Sequence, residues 1–237
     1  MSSSIRSGVI ITTDKCYENR NISRGYKEDD PMGGHDPYSS SKGSAELIIS
    51  SYQRSFFGKD QYRKSSASVA SVRAGNVIGG GDWAEDRLIP DLLRSIGIKD
   101  NVKVRNPNAT RPWQHVLEPL SGYLMVAEQL YKKGPSGSDC WNFGPDKKDI
   151  VTVSKVADMF CKAWGDKLSW SRDLRPSYHE EHNLSLDISK AKKTLDWSPK
   201  WSLSYAIEKT VEWHKAQISG KNMLEMSVEQ IKEFLKE

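Results

Sequence analysis

Gly8-Val-Ile-Ile-Thr-Thr-Asp-Lys15 and, one loop later, Tyr38-Ser-Ser-Ser-Lys42 decide the fold. The first stretch is a compact, β-branched apolar run entered through glycine and closed by polar residues. That pattern predicts a short buried strand over residues 8–13. The second stretch opens residues 38–57, where Ala45, Ile48, Ile49, Tyr52 and Phe56 recur at three- and four-residue spacing. Such spacing predicts a helix. Between them, residues 14–37 are rich in glycine, proline and charge, and Pro31-Met-Gly-Gly34 is turn material.

The pattern continues outward. Ser68-Val-Ala-Ser-Val-Arg73 reads as a second strand and runs into Gly75-Asn-Val-Ile-Gly-Gly-Gly81. Residues 86–96 read as a helix despite Pro90, and residues 102–104 as a short strand. Residues 116–132 form an amphipathic helix that tolerates Pro119 in its first turn. Trp141-Asn-Phe143 is a third core strand. Further helices are expected over residues 153–164, 188–195 and 203–218, with a short, loosely packed one over 227–235. Strands alternating with helices imply an α/β sheet with crossover connections. No internal repeat, low-complexity segment or Pro/Gly/Ser linker divides the chain.

The 237 residues allow one large domain, or one domain with a small lobe. Hydrophobic residues make up 37% and charged residues 28%, a balance that suits a soluble globular chain. The 35 basic and 31 acidic residues leave a net charge of +4, with no block of like charge. That favours a solvated surface over a nucleic-acid groove and suits a small anionic substrate. Cys16, Cys140 and Cys161 lack metal-ligand spacing, and an odd count argues against a disulfide framework. A reducing cytoplasm is therefore expected. No apolar run approaches the length of a membrane span, and residues 9–11 are too few for a signal-peptide core.

Tyr38 and Lys42 stand four residues apart and share a helix face. Free tyrosine has a pKa of about 10 and is a poor base near neutrality. A neighbouring ammonium favours the phenolate. An enzyme that oxidises a sugar needs such a base, because hydride leaves a carbon only as its hydroxyl loses a proton. Tyr-x-x-x-Lys alone says little, since most such pairs are surface pairs. Its position adds weight: the helix follows a strand ending in Thr12-Thr-Asp-Lys15, and open α/β sheets place chemistry at the carboxyl ends of strands. Thr13 and Asp14 also read as a simple turn cap.

Thr13-Asp-Lys15 with Tyr38-x-x-x-Lys42 resembles the catalytic set of extended short-chain dehydrogenases acting on nucleotide sugars. Within that superfamily, the CDP-glucose 4,6-dehydratase type is resembled by several stretches in order. They are Thr13-Asp-Lys-Cys-Tyr17, Asp30-Pro-Met-Gly-Gly34, Asp36-Pro-Tyr-Ser-Ser-Ser-Lys42, Ser71-Val-Arg-Ala-Gly-Asn-Val-Ile-Gly-Gly-Gly-Asp-Trp83, Asp86-Arg-Leu-Ile-Pro90, Arg111-Pro-Trp-Gln-His-Val-Leu-Glu-Pro-Leu-Ser-Gly-Tyr123 and Trp141-Asn-Phe-Gly-Pro145.

The resemblance implies the C-terminal part of a Rossmann-type parallel sheet with a smaller mixed α/β substrate lobe. Residues 1–78 and 110–145 would form the partial core, and residues 79–109 and 146–237 the nucleotide-sugar lobe. It implies NAD as cofactor, contacted by Tyr38 and Lys42, and CDP-glucose as substrate. Tyr38, with Lys42 and Thr13, would deprotonate the C4 hydroxyl while hydride passes to NAD. The 4-keto group would acidify C5, Asp14 would protonate the leaving C6 hydroxyl, and hydride would return to C6. Lys15 stands where dTDP-type relatives carry Glu and would serve the elimination.

Asn76, Arg87, Leu88, Val104, Asn142, Arg175 and His179 would contact the sugar nucleotide, and Arg111 would clamp the diphosphate with its planar fork. Read without the family, Asn76 is also a turn residue and Arg111 a surface ion-pair partner. His115 reads as a helix cap, and His179 and His182 as exposed or core histidines. The tryptophans at 141, 164, 197, 201 and 213 read as core.

The chain departs from the pattern in lacking a glycine-rich strand–turn–helix followed by an acidic residue, the dinucleotide fingerprint. Gly79-Gly-Gly81 follows a later strand and leads into Asp82-Trp83. The Thr13 strand, mid-sheet in relatives, would here expose an edge and an apolar face. A separate chain supplying the cofactor half is one expectation, and an inactive binding module another. A homodimer through the helix at 38–57 is implied by resemblance. An epimerase and a dTDP-type dehydratase are the alternatives within the superfamily. Asn183 departs from the usual Tyr, and the resemblance places no counterpart for the segment after Gly220.

Overall fold

The computed structural model describes residues 4–59, 67–96, 101–165, 168–174 and 184–236. In chain order the elements are β1 (Ser7–Ile11), α1 (Pro37–Phe56), β2 (Ser68–Ala74), β3 (Asn76–Ile78), α2 (Leu88–Arg94), β4 (Val102–Val104), β5 (Thr110–His115), α3 (Leu117–Lys133), β6 (Cys140–Phe143), β7 (Ile150–Thr152), α4 (Val153–Trp164), β8 (Trp170–Arg172), α5 (Ser189–Leu195), α6 (Leu203–Ile218) and α7 (Met223–Lys236). They fall into two compact units.

The first unit comprises Met1–Gly75, Glu118–Gly144 and Leu184–Ser198. Its sheet runs β1-β2-β6, all parallel, with Ile11 opposite Val72 and Val72 opposite Trp141. Parallel neighbours need crossovers, and α1 supplies the one from β1 to β2. β2 is buried along nearly its whole length, as a central parallel strand must be. Val72, Val126, Trp141, Phe143, Leu186 and Trp197 form the centre of its core.

The second unit comprises Asn76–Leu117, Pro145–Asn183 and Pro199–Glu237. A three-stranded sheet runs β3-β5-β7, with β3 parallel and β7 antiparallel to β5. β4 and β8 form a separate parallel pair. The core gathers Leu92, Trp113, Val156, Phe160, Ile207 and Val211 from these strands and from α2, α4 and α6. The glycine run at 79–81 has a packing role here. A Cβ on Gly80 would lie 2.1 Å from the Trp213 ring, so only glycine lets the indole sit on this backbone.

The expected α/β class with parallel pairing is present. The strand at 68–73 and the helices at 153–164 and 203–218 fall where periodicity places them. Three expectations are corrected. First, β3, β5, β7 and β8 are strands that periodicity does not reveal. Three of them have only three residues, and β5 carries Pro112 and the buried polar Arg111, Gln114 and His115. Second, the terminal helix is longer than 227–235 and is not loosely packed. α7 buries Met226, Gln230 and Phe234, and Trp213 Nε1 donates to Ser227 Oγ at 3.0 Å. Gln230 Nε2 also donates to the Lys209 carbonyl at 2.9 Å. Third, the division at 78/79, 109/110 and 145/146 shifts. Residues 184–198 belong to the first unit because Leu184, Leu186, Ala191 and Trp197 complete its core, whereas β3 and β5 pair within the second.

Among the described residues, no helix is long and apolar enough to cross a membrane. No cluster of three His, Cys, Asp or Glu among them could hold a metal ion.

Candidate active site

At the carboxyl end of β1 the chain passes through Thr12 and Thr13 into a 3-10 turn at Asp14–Cys16. Thr12 remains tied to the sheet, its N–H donating to the Val72 carbonyl at 2.9 Å. Thr13 caps the turn. Its Oγ accepts from Lys15 N at 3.4 Å and donates to Asp14 Oδ1 at 2.9 Å. The turn-cap reading is thus met, and the same geometry sets the Asp14 carboxyl beside the Thr13 hydroxyl. Asp14 is buried, at 3% exposure.

Tyr38 is brought to this turn by the start of α1. Asp36 is the N-cap, and its Oδ1 accepts from Tyr38 N at 2.9 Å and Ser39 N at 3.0 Å, while Ser39 Oγ donates to Oδ2 at 2.6 Å. Pro37 occupies the first helical position, where its missing N–H has no cost. These bonds, first that from the Ser39 hydroxyl, together with the nearby Lys15 charge hold the Asp36 carboxyl below the usual carboxylate range. Gly34 lets the preceding loop lie against this turn. A Cβ there would meet Ser40 N at 2.4 Å.

Tyr38 is 52% exposed, so a ligand can reach it. Two ammonium groups lie over the ring, Lys42 Nζ at 5.6 Å and Lys15 Nζ at 5.8 Å from its centroid. Thr13, Asp14, Lys15, Tyr38 and Lys42 are therefore one cluster in the first unit, as their spacing implied. It holds a hydroxyl, a carboxyl, a phenol and two cations, the groups needed to take a proton from one sugar oxygen and give one to another.

Beneath the cluster lies a buried polar network that the sequence reading missed. Arg73 Nη2 is 2.8 Å from Glu46 Oε2, and both side chains are 3% exposed. Glu46 also accepts from Thr12 Oγ1 and, at 2.8 Å, from Ser71 Oγ. Arg73 Nη1 donates to the Tyr17 hydroxyl at 2.5 Å, which donates to Asn142 Oδ1 at 2.7 Å. Burial alone would raise the Glu46 carboxyl. The bonds and charge of Arg73, with the Thr12 and Ser71 hydroxyls, outweigh it and hold the group low. The network links α1 to the end of β1, which fixes both halves of the cluster. A signal existed: Arg73 interrupts an apolar strand, and a buried guanidinium requires a carboxylate. Cys16, in the same turn, is fully buried and its thiol is pushed up to about 12, chiefly by desolvation, so it is no nucleophile.

Two residues expected to contact the ligand stand at buried positions. Asn142 is fully buried, and its amide is used by Tyr17, by the Tyr26 carbonyl at 2.9 Å and by the Asp187 carbonyl at 3.3 Å. It braces β6 against the loop. Val104 is buried in the core of the second unit. In that unit, Asn76 is half-buried and opposite Trp113. Arg87 is exposed and precedes α2, with Nη1 3.4 Å from Asp82 Oδ2. Leu88 packs on the core. Arg111 is buried in β5, with Nη1 donating to the Thr110 carbonyl at 3.0 Å. His115 does cap a helix start, its Nδ1 accepting from Leu117 N at 3.3 Å. Arg175, His179, His182 and Asn183 lie outside the described residues.

Comparison with known proteins adds the following. CDP-glucose 4,6-dehydratase of Salmonella typhimurium is 52% identical over 231 residues, which is 98% of this chain and 64% of that protein. Human dTDP-D-glucose 4,6-dehydratase is 23% identical over 225 residues, 93% of this chain and 60% of that protein. The chain thus spans just under two thirds of the length of these relatives. Among solved structures, dTDP-glucose 4,6-dehydratase from Bacillus anthracis in complex with NAD superposes with a TM-score of 0.70 at 22% identity, covering 87% of this chain and 61% of that one. UDP-glucose 4-epimerase from Thermotoga maritima with UDP-glucose gives 0.73 at 18%, covering 91% and 65%. These two likenesses establish the Rossmann-type fold. A family model described as GDP-mannose 4,6 dehydratase matches residues 8–210. With that model spanning most of its length, the chain belongs to the GDP-mannose 4,6 dehydratase family of nucleotide-sugar dehydratases.

Proposed function

We propose that this chain carries the proton-transfer and elimination residues of an NAD-dependent CDP-glucose 4,6-dehydratase, which converts CDP-glucose to the CDP-4-keto-6-deoxy sugar and water. The observation that carries this reading is the exposed Tyr38 ring under two ammonium groups, beside the Thr13–Asp14 pair. The 52% identity to the Salmonella enzyme favours a CDP-sugar over the dTDP type. An epimerase needs no elimination acid, so Asp14-Lys15 favours dehydration.

Tyr38 Oη, as the phenolate, takes the proton of the C4 hydroxyl, with the Lys42 ammonium over its ring. NAD, when bound, supplies the hydride acceptor and the later donor. The hydroxyl of the exposed Tyr38 and the Lys42 ammonium suit the hydroxyls of a nicotinamide ribose, and these two residues would hold that end of the cofactor. Once C4 is a ketone, C5 is acidic. Lys15 Nζ, as the free amine, takes the C5 proton, and Asp14, as the protonated acid, gives its proton to the C6 hydroxyl, which departs as water. Thr13 orients Asp14 through its 2.9 Å bond. Arg87 and Arg111 are proposed for the diphosphate on the family resemblance alone.

A glycine-rich pyrophosphate turn is not among the residues of this sequence, and β1 bears on who supplies it. One edge of β1 pairs with β2, and Ile10 and Ile11 are 39% and 58% exposed. A further βα segment, in the same polypeptide or in a separate chain, would pair with β1 and bring the cofactor-binding turn. Exposed Leu47, Ile48, Tyr52 and Phe56 on α1 support a homodimer through that helix. Incubating the purified chain with CDP-glucose, with and without NAD, and following products by proton NMR tests the reading. A folded chain that binds CDP-glucose without turnover points to an inactive binding module.

A further inference from the structure

α7 has two apolar faces. Met226, Gln230 and Phe234 face inward and are buried. Leu224, Val228, Ile231 and Leu235 lie on the other side, with exposures of 73%, 37%, 43% and 71%. Their spacing of four, three and four residues is that of the seam of a helix pair, in which apolar side chains recur every 3.5 residues. Scattered apolar residues on a surface are ordinary, but a continuous stripe at this period is not.

We propose that this outer face of α7 is a self-association surface, pairing antiparallel with α7 of a second copy of the chain. Charge placement selects both the occupant and the direction. Turning one helix by a two-fold axis at its middle sets Leu224 against Leu235 and Val228 against Ile231. Glu225 and Lys232 are seven residues apart and exposed, so they flank the seam on one side. In the antiparallel pair, Glu225 of each copy meets Lys232 of the other, twice. A parallel pair would bring Ser227 beside Lys232 and offer no opposite charge. Lys221, Lys232 and Lys236 are balanced by Glu225, Glu229 and Glu233, so the helix lacks the basic excess that draws an amphipathic helix to an anionic lipid surface.

The helix is also prepared for docking. Its inner face is fixed by the burial of Met226 and Phe234, the latter with its ring 5.2 Å from that of Trp201, and is tied to α6 by the Trp213–Ser227 bond and the Lys209–Glu233 pair at 2.8 Å. No helix-forming entropy is therefore lost on association. The four side chains offer on the order of 400 Å² per copy, about half of a standard interface, so the contact is weak and reversible. A two-fold contact of this kind closes on itself, whatever assembly the other faces support.

The test is sedimentation velocity of the full chain across roughly 1 to 200 µM, with thermal unfolding as a control for fold. Wild type should associate reversibly. Glu225→Lys and Lys232→Glu should each weaken association by about tenfold, and the double charge swap should restore it. Leu235→Gln, at a site that leaves the Met226–Phe234 face untouched, should weaken it as well. A wild-type chain that shows no concentration-dependent association overturns the proposal. So does an association that the single swaps leave unchanged, or one that the double swap fails to restore.

Discussion

Lys15 Nζ lies 5.8 Å from the centre of the Tyr38 ring, almost as near as Lys42 Nζ at 5.6 Å. Lys42 reaches Tyr38 within one helix, whereas Lys15 reaches it from the turn after β1. The turn that carries Asp14 and Lys15, proposed for the elimination, is thus part of the environment of Tyr38, the proposed oxidation base. In the proposed reaction different atoms of this cluster serve the two half-reactions, so single substitutions should separate them. Tyr38→Phe should remove the first proton transfer and with it any reduced-nicotinamide absorbance, a loss of about 10²–10⁴-fold in rate. Asp14→Asn should still permit oxidation and accumulate reduced nicotinamide, but should stall before the 6-deoxy product. Stopped-flow absorbance with product analysis by NMR reads both. Equal loss of both steps in Asp14→Asn contradicts the assignment.

Asp36 sits outside the chemistry but aims Tyr38. Its carboxyl holds the first N–H groups of α1, including that of Tyr38 itself. Asp36→Ala should cost about 1 kcal/mol of stability, as loss of a helix cap does. Turnover should fall by more than stability alone explains, because Tyr38 loses its orientation. Asp36→Ser, which keeps a capping oxygen, should recover most of both. Denaturant melts and initial rates for the two variants provide the comparison.

The Glu46–Arg73 pair is the most deeply buried ion pair described, and removing one member should cost more than any surface change. Glu46→Gln leaves the Arg73 charge buried without its counter-ion and should destabilise by about 3–5 kcal/mol. Because the folded chain holds the Glu46 carboxyl below its usual value of 4.5, the unfolded chain binds that proton more readily. The contribution of the pair is therefore full above pH 4.5 and is lost as pH falls through the lower folded value. Urea unfolding from pH 7 to pH 3 should show a loss that Glu46→Gln no longer shows.

His115 gives a second acid-sensitive element with a different window. It is 2% exposed and tilted against the Trp201 ring at 4.8 Å, and burial lowers it to about 4. The neutral imidazole accepts from Leu117 N through Nδ1. Between pH 6.5 and 4 the unfolded chain binds the proton that the folded chain refuses. Stability should thus be complete above 6.5 and fall by roughly 3 kcal/mol as pH drops to 4. His115→Asn should flatten the stability profile across that interval in urea melts, whatever its effect at pH 7.

The cluster was legible because its parts are local. Thr13-Asp-Lys15 and Tyr38-x-x-x-Lys42 are short motifs at element ends, where periodicity is clear on both sides. Glu46 and Arg73 were not legible as a pair, since one lies on a helix and the other on a strand, and only the crossover from β1 to β2 brings them together. Arg73 within an apolar run was a cue that a partner existed, but sequence cannot name it. β3, β7 and β8 are too short for alternation to register, and β5 hides behind its proline and buried polar residues. α7 carries one apolar stripe that is exposed, which sequence alone does not distinguish from a buried one. The second stripe, which packs on α6, emerges only when Met226, Gln230 and Phe234 are seen on one face.

The most direct test of the central claim is turnover of CDP-glucose by this chain supplied with NAD and, in parallel, with a polypeptide carrying the glycine-rich segment of the Salmonella relative. Product is read as the C6 methyl signal of the 4-keto-6-deoxy sugar in proton NMR. Appearance of that signal, and its loss with Tyr38→Phe, is the expected result. A folded chain that forms no such product in either mixture, or a product that persists without the Tyr38 hydroxyl, contradicts the assignment of this cluster as a dehydratase active site.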